Sequence, residues 1–390
     1  MTPKGFVFNA VSAGIRDPGR LDLGLIFSDR PASGAGVFTT NLVRAAPVRL
    51  GQQRLPSQSV RGVLVNSGCA NACTGEEGLR DAERLLEATA RALSIEEGTL
   101  LPASTGVIGE RLPVEKMLKV VPELVSGLAP EKVEAFARAI LTTDTFPKVI
   151  ERRLCLRGGE IRLLGIAKGA GMIAPHMATM LAFVLTDARL SVSTLQDLLK
   201  ESVSYSFNRI TVDGDMSTND TVYALANGAS ELRPEGKDFE EFVRVFREVC
   251  QELAYLIVKD GEGATKTVRI KVCGAEDEEK ALIMARTVAN SLLVKTAFFG
   301  EDPNWGRILA ALGRSGVPFD PYEVDLFLEE VPIVKDGLSL GKEAEEQAHQ
   351  VMQKSEFTLT ISLKRGNAEA EILTCDLSYE YVKINAEYRT

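Results

Sequence analysis

Apolar and polar positions along this chain switch repeatedly between a strand period and a helix period. Gly62-Val63-Leu64-Val65-Asn66 is a continuous apolar run of strand length, and Leu79, Ala82, Leu86, Ala90 and Leu93 then recur at the spacing of one helix face. Val133, Phe136, Ala137, Ile140 and Leu141 repeat that spacing just before Thr142-Thr143-Asp144-Thr145. Residues 153–157 and 161–167 flank Gly158-Gly159 and predict a hairpin. Its second arm runs into Gly169-Ala170-Gly171, and the apolar run from Met180 to Leu185 beyond predicts a buried strand.

In the second half, Leu195, Leu198, Leu199 and Val203 predict a helix beginning at Ser193, and a longer helix is expected over 238–258. The stretch 266–272 reads as a strand, 276–290 as a helix and 291–298 as another strand, a β-α-β order suited to a layered α/β fold. Residues 357–364, 368–373 and 379–384 read as a meander whose first turn is Arg365-Gly366-Asn367. No repeat or low-complexity tract interrupts the 390 residues, enough for two lobes or one large α/β unit.

Composition narrows the function classes. Hydrophobic residues make up 45% and charged residues 25%, as in an ordinary globular enzyme. A net charge of −9 and the lack of a basic stripe argue against a nucleic-acid partner. No window approaches a membrane span and the first ten residues lack a secretory pattern, so a cytoplasmic location is expected. The six cysteines are scattered, which points to reduced thiols. With only His176 and His349, neither a zinc site nor a Ser-His-Asp triad has its parts. No metal site is expected, and an acyl-transfer enzyme built on this chain needs a different base.

One segment offers such a base. In the run from Lys168 to Ala188, a glycine-rich turn comes shortly before Ala178-Thr179. An N-to-O shift there, with Thr179 Oγ attacking the Ala178 carbonyl, followed by hydrolysis of the ester, leaves a hydroxyl and a free α-amine on one residue. That amine, with an unperturbed pKa of about 7.7–8.0, accepts a proton near neutrality where a lysine, at about 10.4, mostly does not. A buried strand behind a simple turn is the competing reading of the same residues. A third arises because Gly169 to Ala174 satisfies the dinucleotide pattern G-x-G-x-x-G/A. The residues beyond it are apolar and β-rich, however, whereas that motif needs a helix N-terminus facing the pyrophosphate. The tetrahedral intermediate of an acyl transfer also needs oxyanion donors. Pro102-Ala103-Ser104-Thr105-Gly106-Val107 can supply them, because Gly106 lets the backbone approach closely and Thr105 adds a hydroxyl.

Several longer stretches, in order, carry a resemblance. They are Gly36-Val37-Phe38-Thr39-Thr40-Asn41, Ala45-Ala46-Pro47-Val48, the run from Val65 to Gly75, the Ala178-Thr179-Met180-Leu181 sequence, the run from Thr211 to Thr221, the run from Lys259 to Lys266, and Gly300 to Arg307. Together the chain resembles the ornithine acetyltransferase family, the arginine-pathway glutamate N-acetyltransferases, over nearly its whole length. One departure is Cys69, which stands where an asparagine is expected.

The resemblance implies an α/β sandwich of mixed β-sheets flanked by helices, like that of related self-processing aminopeptidases. It implies cleavage between Ala178 and Thr179 into an α chain, 1–178, and a β chain, 179–390, assembled as a heterotetramer of two α and two β. Thr179 would be the nucleophile and Thr105 and Gly106 the oxyanion hole. Substrate contacts would fall on Thr142, Lys168, Thr179, Glu262, Asn385 and Thr390. The substrates implied are N-acetylornithine and glutamate, in a ping-pong transfer with no cofactor. Acetyl-coenzyme A is a second donor substrate in some family members. Lys168 suits a carboxylate, Glu262 a cationic amine, and Thr142 and Asn385 directional hydrogen bonds. The alternative is a self-processing aminopeptidase or amidohydrolase with the same kind of nucleophile.

Overall fold

A computed structural model describes residues 2–156, 158–174 and 180–387. Ala178, Thr179 and Thr390 lie outside the described residues, as does Arg157 in the predicted hairpin. The chain is α/β, with two mixed sheets in two compact units. One lies within Met1–Asn208 and Asp215–Ile257, the other within Arg209–Gly214 and Val258–Arg389.

The first unit holds β1 (Phe6–Val11), β2 (Leu23–Phe38), β3 (Ser57–Asn66), β4 (Leu100–Ser104), β5 (Lys148–Leu156), β6 (Gly159–Lys168) and β7 (Leu181–Thr186). β8 (Ile210–Thr211) belongs to the second unit, and β9 (Thr221–Ala226) returns to the first. The sheet order is β4-β3-β2-β9-β7-β6-β5, with β1 paired to β2. All residues of the central strands β7 and β9 are buried, which is why the 180–185 run is apolar without alternation. On one face Phe8, Phe136, Phe183 and Tyr223 form an aromatic cluster. The other face is covered by Gly75–Leu93 and Val114–Ser126, whose buried stripe includes Leu79, Ala82, Leu86, Met117 and Val121.

The predicted hairpin is present as the antiparallel pair β5·β6, in register from Lys148↔Ala167 to Leu156↔Gly159. β6 then pairs antiparallel with β7, from Leu163↔Thr186 to Lys168↔Leu181. The chain therefore leaves the glycine-rich turn into an antiparallel neighbour, and a dinucleotide site, which needs a helix and a parallel crossover, does not fit. The helix expected from Ser193 spans Val192–Ser204, with the Ser191 hydroxyl accepting from Thr194 N–H at 3.1 Å as its N-cap.

The second unit carries β10 (Thr267–Ala275), β11 (Asp325–Leu328), β12 (Val331–Lys335), β13 (Leu338–Ser339), β14 (Glu356–Ser362) and β15 (Ala368–Cys375). Their order is β13-β12-β11-β14-β10-β15-β8. Two expectations fail here. Residues 291–298, read as a strand, form the helix Leu292–Phe299. Val294, Lys295, Ala297 and Phe298 are buried while Leu292, Leu293 and Thr296 are exposed, which is a helical period hidden inside an apolar run. The proposed meander is not one either. β10 lies between β14 and β15, parallel to the first and antiparallel to the second, and the last expected strand is the helix Tyr379–Glu387. The return from β14 to β15 is thus a crossing over β10 rather than a hairpin, a pairing that local turn chemistry does not encode.

Candidate functional site

Three residues singled out in the sequence meet at the end of β6. Lys168 Nζ donates to Thr142 Oγ1 at 2.8 Å and to Thr105 Oγ1 at 3.3 Å, and lies 3.7 Å from an Asp144 carboxylate oxygen. Their elements explain the convergence. β4 carries the chain to Ser104, the helix Val133–Ala139 precedes Thr142, and β6 ends at Lys168. Lys168 and Thr105 are both buried.

Thr105 and Gly106 sit where two loops touch. Thr105 N–H donates to Asn66 O at 3.0 Å and Val107 N–H to Gly68 O at 3.4 Å, which laces the segment to the run from Asn66 to Ala70. Gly106 has φ +129°, and a Cβ there would stand 2.3 Å from the Gly68 carbonyl carbon and 2.5 Å from Cys69 N. Only glycine fits such a contact. Among the described residues nothing accepts from the Gly106 N–H. Because Lys168 donates into Thr105 Oγ1, the hydroxyl proton of Thr105 is left to donate onward. An N–H and an O–H on adjacent residues, with a buried ammonium behind them, can stabilise a developing oxyanion.

Asp144, to which no role was assigned from the sequence, organises this cluster. It takes Lys148 Nζ at 2.8 Å, Gly169 N–H at 2.6 Å and Thr142 N–H at 3.2 Å. Asp144 and Lys148 are sealed from solvent. Burial alone would raise the Asp144 carboxyl, but the Lys168 and Lys148 ammoniums and the hydrogen bonds outweigh it and hold it down at about 2. The only signal for it in the sequence was an aspartate four residues before a lysine. Asp144→Asn removes the carboxylate that two buried ammoniums share, and about 3–5 kcal/mol of unfolding free energy is expected to go with it. A depressed folded-state pKa gives stability that is present above the unfolded value of about 3.9 and is lost as pH falls toward 2. Denaturant titrations over that window should show this pH-dependent component in the parent chain and lack it in the variant.

A second buried carboxyl closes the cluster. Asp220 Oδ1 accepts from Met180 N–H at 3.0 Å, one peptide bond from Thr179, while among the described residues Oδ2 is buried without a hydrogen-bond partner. Burial pushes this carboxyl well above the usual range, against the opposing pulls of the Met180 N–H, the Thr39 hydroxyl and the Lys168 ammonium. Cys69 is also buried, its thiol donating to Glu110 O at 3.3 Å; burial raises its pKa, so it is not a competing nucleophile.

Glu262 and Asn385 form a pair in the second unit. Asn385 Nδ2 donates to Glu262 Oε2 at 2.7 Å and to Tyr381 O at 3.0 Å. Gly263, with φ +67°, lets the loop carrying Glu262 approach the helix Tyr379–Glu387, since a Cβ there would meet Tyr381 N at 2.6 Å. Among the described residues no group of His, Cys, Asp and Glu could hold a metal ion. No single described helix is long and apolar enough to cross a membrane.

A model of the ArgJ family matches residues 7–390. The arginine biosynthesis bifunctional protein ArgJ of Desulfotalea psychrophila is 51% identical over 393 residues, covering 100% of each chain. Among solved structures, the arginine biosynthesis bifunctional protein ArgJ of Bacillus halodurans shares 39% identity at a TM-score of 0.50. The likeness covers 53% of this chain and 98% of that one, so that chain is about half as long. The ornithine acetyltransferase of Mycobacterium tuberculosis, solved with ornithine, is 41% identical with a TM-score of 0.42, over 44% of this chain and 92% of that one.

Proposed function

This chain belongs to the ArgJ family of bifunctional arginine-biosynthesis proteins, and from that premise we propose that it moves an acetyl group from N-acetylornithine to glutamate through Thr179. The observation that carries this is the convergence of Lys168, Thr105 and Thr142 beside a Gly106 N–H with no acceptor among the described residues. Self-cleavage comes first. Thr179 Oγ attacks the Ala178 carbonyl, the C–N bond breaks to give an ester, and water cleaves the ester to leave an Ala178 carboxylate and a Thr179 α-amine.

The α piece, 1–178, and the β piece, 179–390, stay together after cleavage because the boundary falls between neighbouring strands of one sheet. The ladder from Leu163↔Thr186 to Lys168↔Leu181, and the burial of β7, both survive the cut. The half-length of the Bacillus halodurans chain fits a piece of this size. A heterotetramer of two α and two β pieces and a cytoplasmic location belong to the same reading.

In the transfer cycle the Thr179 amine takes the proton from its own Oγ, which attacks the acetyl carbonyl. The Thr105 hydroxyl and Gly106 N–H receive the oxyanion, and the proton passes to the departing ornithine nitrogen. Glutamate's amine then attacks the acetyl-threonine ester, releasing N-acetylglutamate and restoring the hydroxyl. Thr142 and Lys168 are assigned to the substrate's polar groups, the Glu262–Asn385 pair to a cationic amine, and Thr390 to a further contact. Acetyl-coenzyme A is the candidate second donor; no cofactor takes part.

Product analysis tests this function. Ornithine release from N-acetylornithine should depend on added glutamate and match N-acetylglutamate formed. Acetate released at the same rate without glutamate would instead mark a hydrolase of the aminopeptidase kind. The same assay with acetyl-coenzyme A reads the second donor.

A further inference from the structure

Three consecutive residues, Asn219, Asp220 and Thr221, hold the two halves of the proposed machinery at once. Asn219 Nδ2 donates to Ala70 O at 2.7 Å and to Ser104 O at 2.9 Å, the latter being the carbonyl just before Thr105. Asp220 Oδ1 accepts the Met180 N–H at 3.0 Å, and Thr221 N–H donates to Met180 O at 3.1 Å, so both polar groups of Met180 are taken by this segment. Thr221 Oγ1 closes the turn by donating to Asn219 O at 2.9 Å. Exposure of Asn219, Asp220 and Thr221 is 4%, 0% and 2%, so water cannot substitute for these bonds.

We infer that Asn219 and Asp220 form a positioning clamp for the acetyl transfer, fixing Met180, the residue that follows Thr179 in the chain, relative to Ser104, the residue that precedes the Thr105–Gly106 donors. This rests on the reading of Thr179 as nucleophile. Neither residue touches the reacting atoms. Their role is to keep nucleophile and oxyanion donors in register through cleavage, when the covalent link on one side of Thr179 is lost. Asp220 does this as a neutral carboxylic acid. An ionised carboxylate with one oxygen wholly buried and, among the described residues, without a hydrogen-bond partner would be costly, whereas the neutral acid still accepts the Met180 N–H. The strong upward push that burial exerts on this carboxyl agrees.

The neutral acid has a close mimic in asparagine, which keeps the accepting oxygen, while leucine fills the space and removes it. The full chain is prepared as Asp220→Asn and Asp220→Leu, checked for cooperative unfolding, and followed by intact mass and by steady-state assay with N-acetylornithine. Asp220→Asn should cleave itself and turn over within about threefold of the parent. Asp220→Leu should cleave slowly and lose about 10²-fold in kcat with KM little changed, the mark of a displaced nucleophile rather than a lost substrate contact. If the leucine chain does not fold, Asp220→Glu, which keeps the carboxyl but moves it, should show the same loss in kcat. A folded leucine or glutamate variant with the parent's kcat overturns the clamp, as does an asparagine variant as impaired as leucine. A parent chain that never cleaves yet is active defeats the Thr179 reading instead.

Discussion

Thr179→Ala is expected to leave the chain whole and to abolish acetyl transfer. Alanine has no Oγ, so the Ala178 carbonyl meets no internal nucleophile, the N-to-O shift does not start, and no α-amine is released. Nucleophile and base disappear together, which makes the loss larger than that of an ordinary single catalytic group. A drop of at least about 10⁴-fold in kcat is anticipated, on the scale seen when the members of a catalytic unit are removed. Folding should be spared, because β6, β7 and β9 hold their ladders through residues on either side of the change. Thr179→Ser keeps the hydroxyl and should still cleave. Circular dichroism and thermal unfolding check the fold, and a radiolabelled acetyl assay checks the activity.

Gly106→Ala is expected to cost about 10²–10³-fold in kcat, the usual consequence of losing an oxyanion donor. The cause is geometric. At φ +129° a Cβ would collide with the Gly68 carbonyl carbon at 2.3 Å and Cys69 N at 2.5 Å, and backbone atoms cannot swing aside as a side chain does. The loop must shift, turning the Gly106 N–H and carrying Thr105 Oγ1 away from Lys168 Nζ. Self-cleavage passes through a similar tetrahedral oxyanion, so it should slow as well. Partly processed protein with low kcat and nearly parental KM is the predicted pattern; an alanine variant with full activity would show that the donors lie elsewhere.

Much of the fold was legible because burial writes a period into the sequence. The helix Gly75–Leu93 and the β5·β6 hairpin follow from apolar spacing and a Gly-Gly turn. What stayed hidden was pairing between distant segments. Nothing local says that β10 inserts between β14 and β15, and the short apolar run at 291–298 reads as a strand until the exposure of Leu292 and Leu293 reveals a helical period. At the site, Thr105, Gly106, Thr142 and Lys168 were named from motif and resemblance, and the first unit brings them together. Asp144 and Asp220 carry no such signal, because a lone aspartate among polar residues looks solvated. Only the fold shows that one neutralises two buried lysines and the other takes the Met180 amide.

The most direct test of the account is the mass of each fragment after the purified enzyme is given N-acetylornithine without glutamate. The account predicts two fragments meeting at Ala178/Thr179, with the one beginning at Thr179 heavier by a single acetyl group that disappears when glutamate is added. An unbroken active chain, or an acetyl group carried by the other fragment, would contradict it.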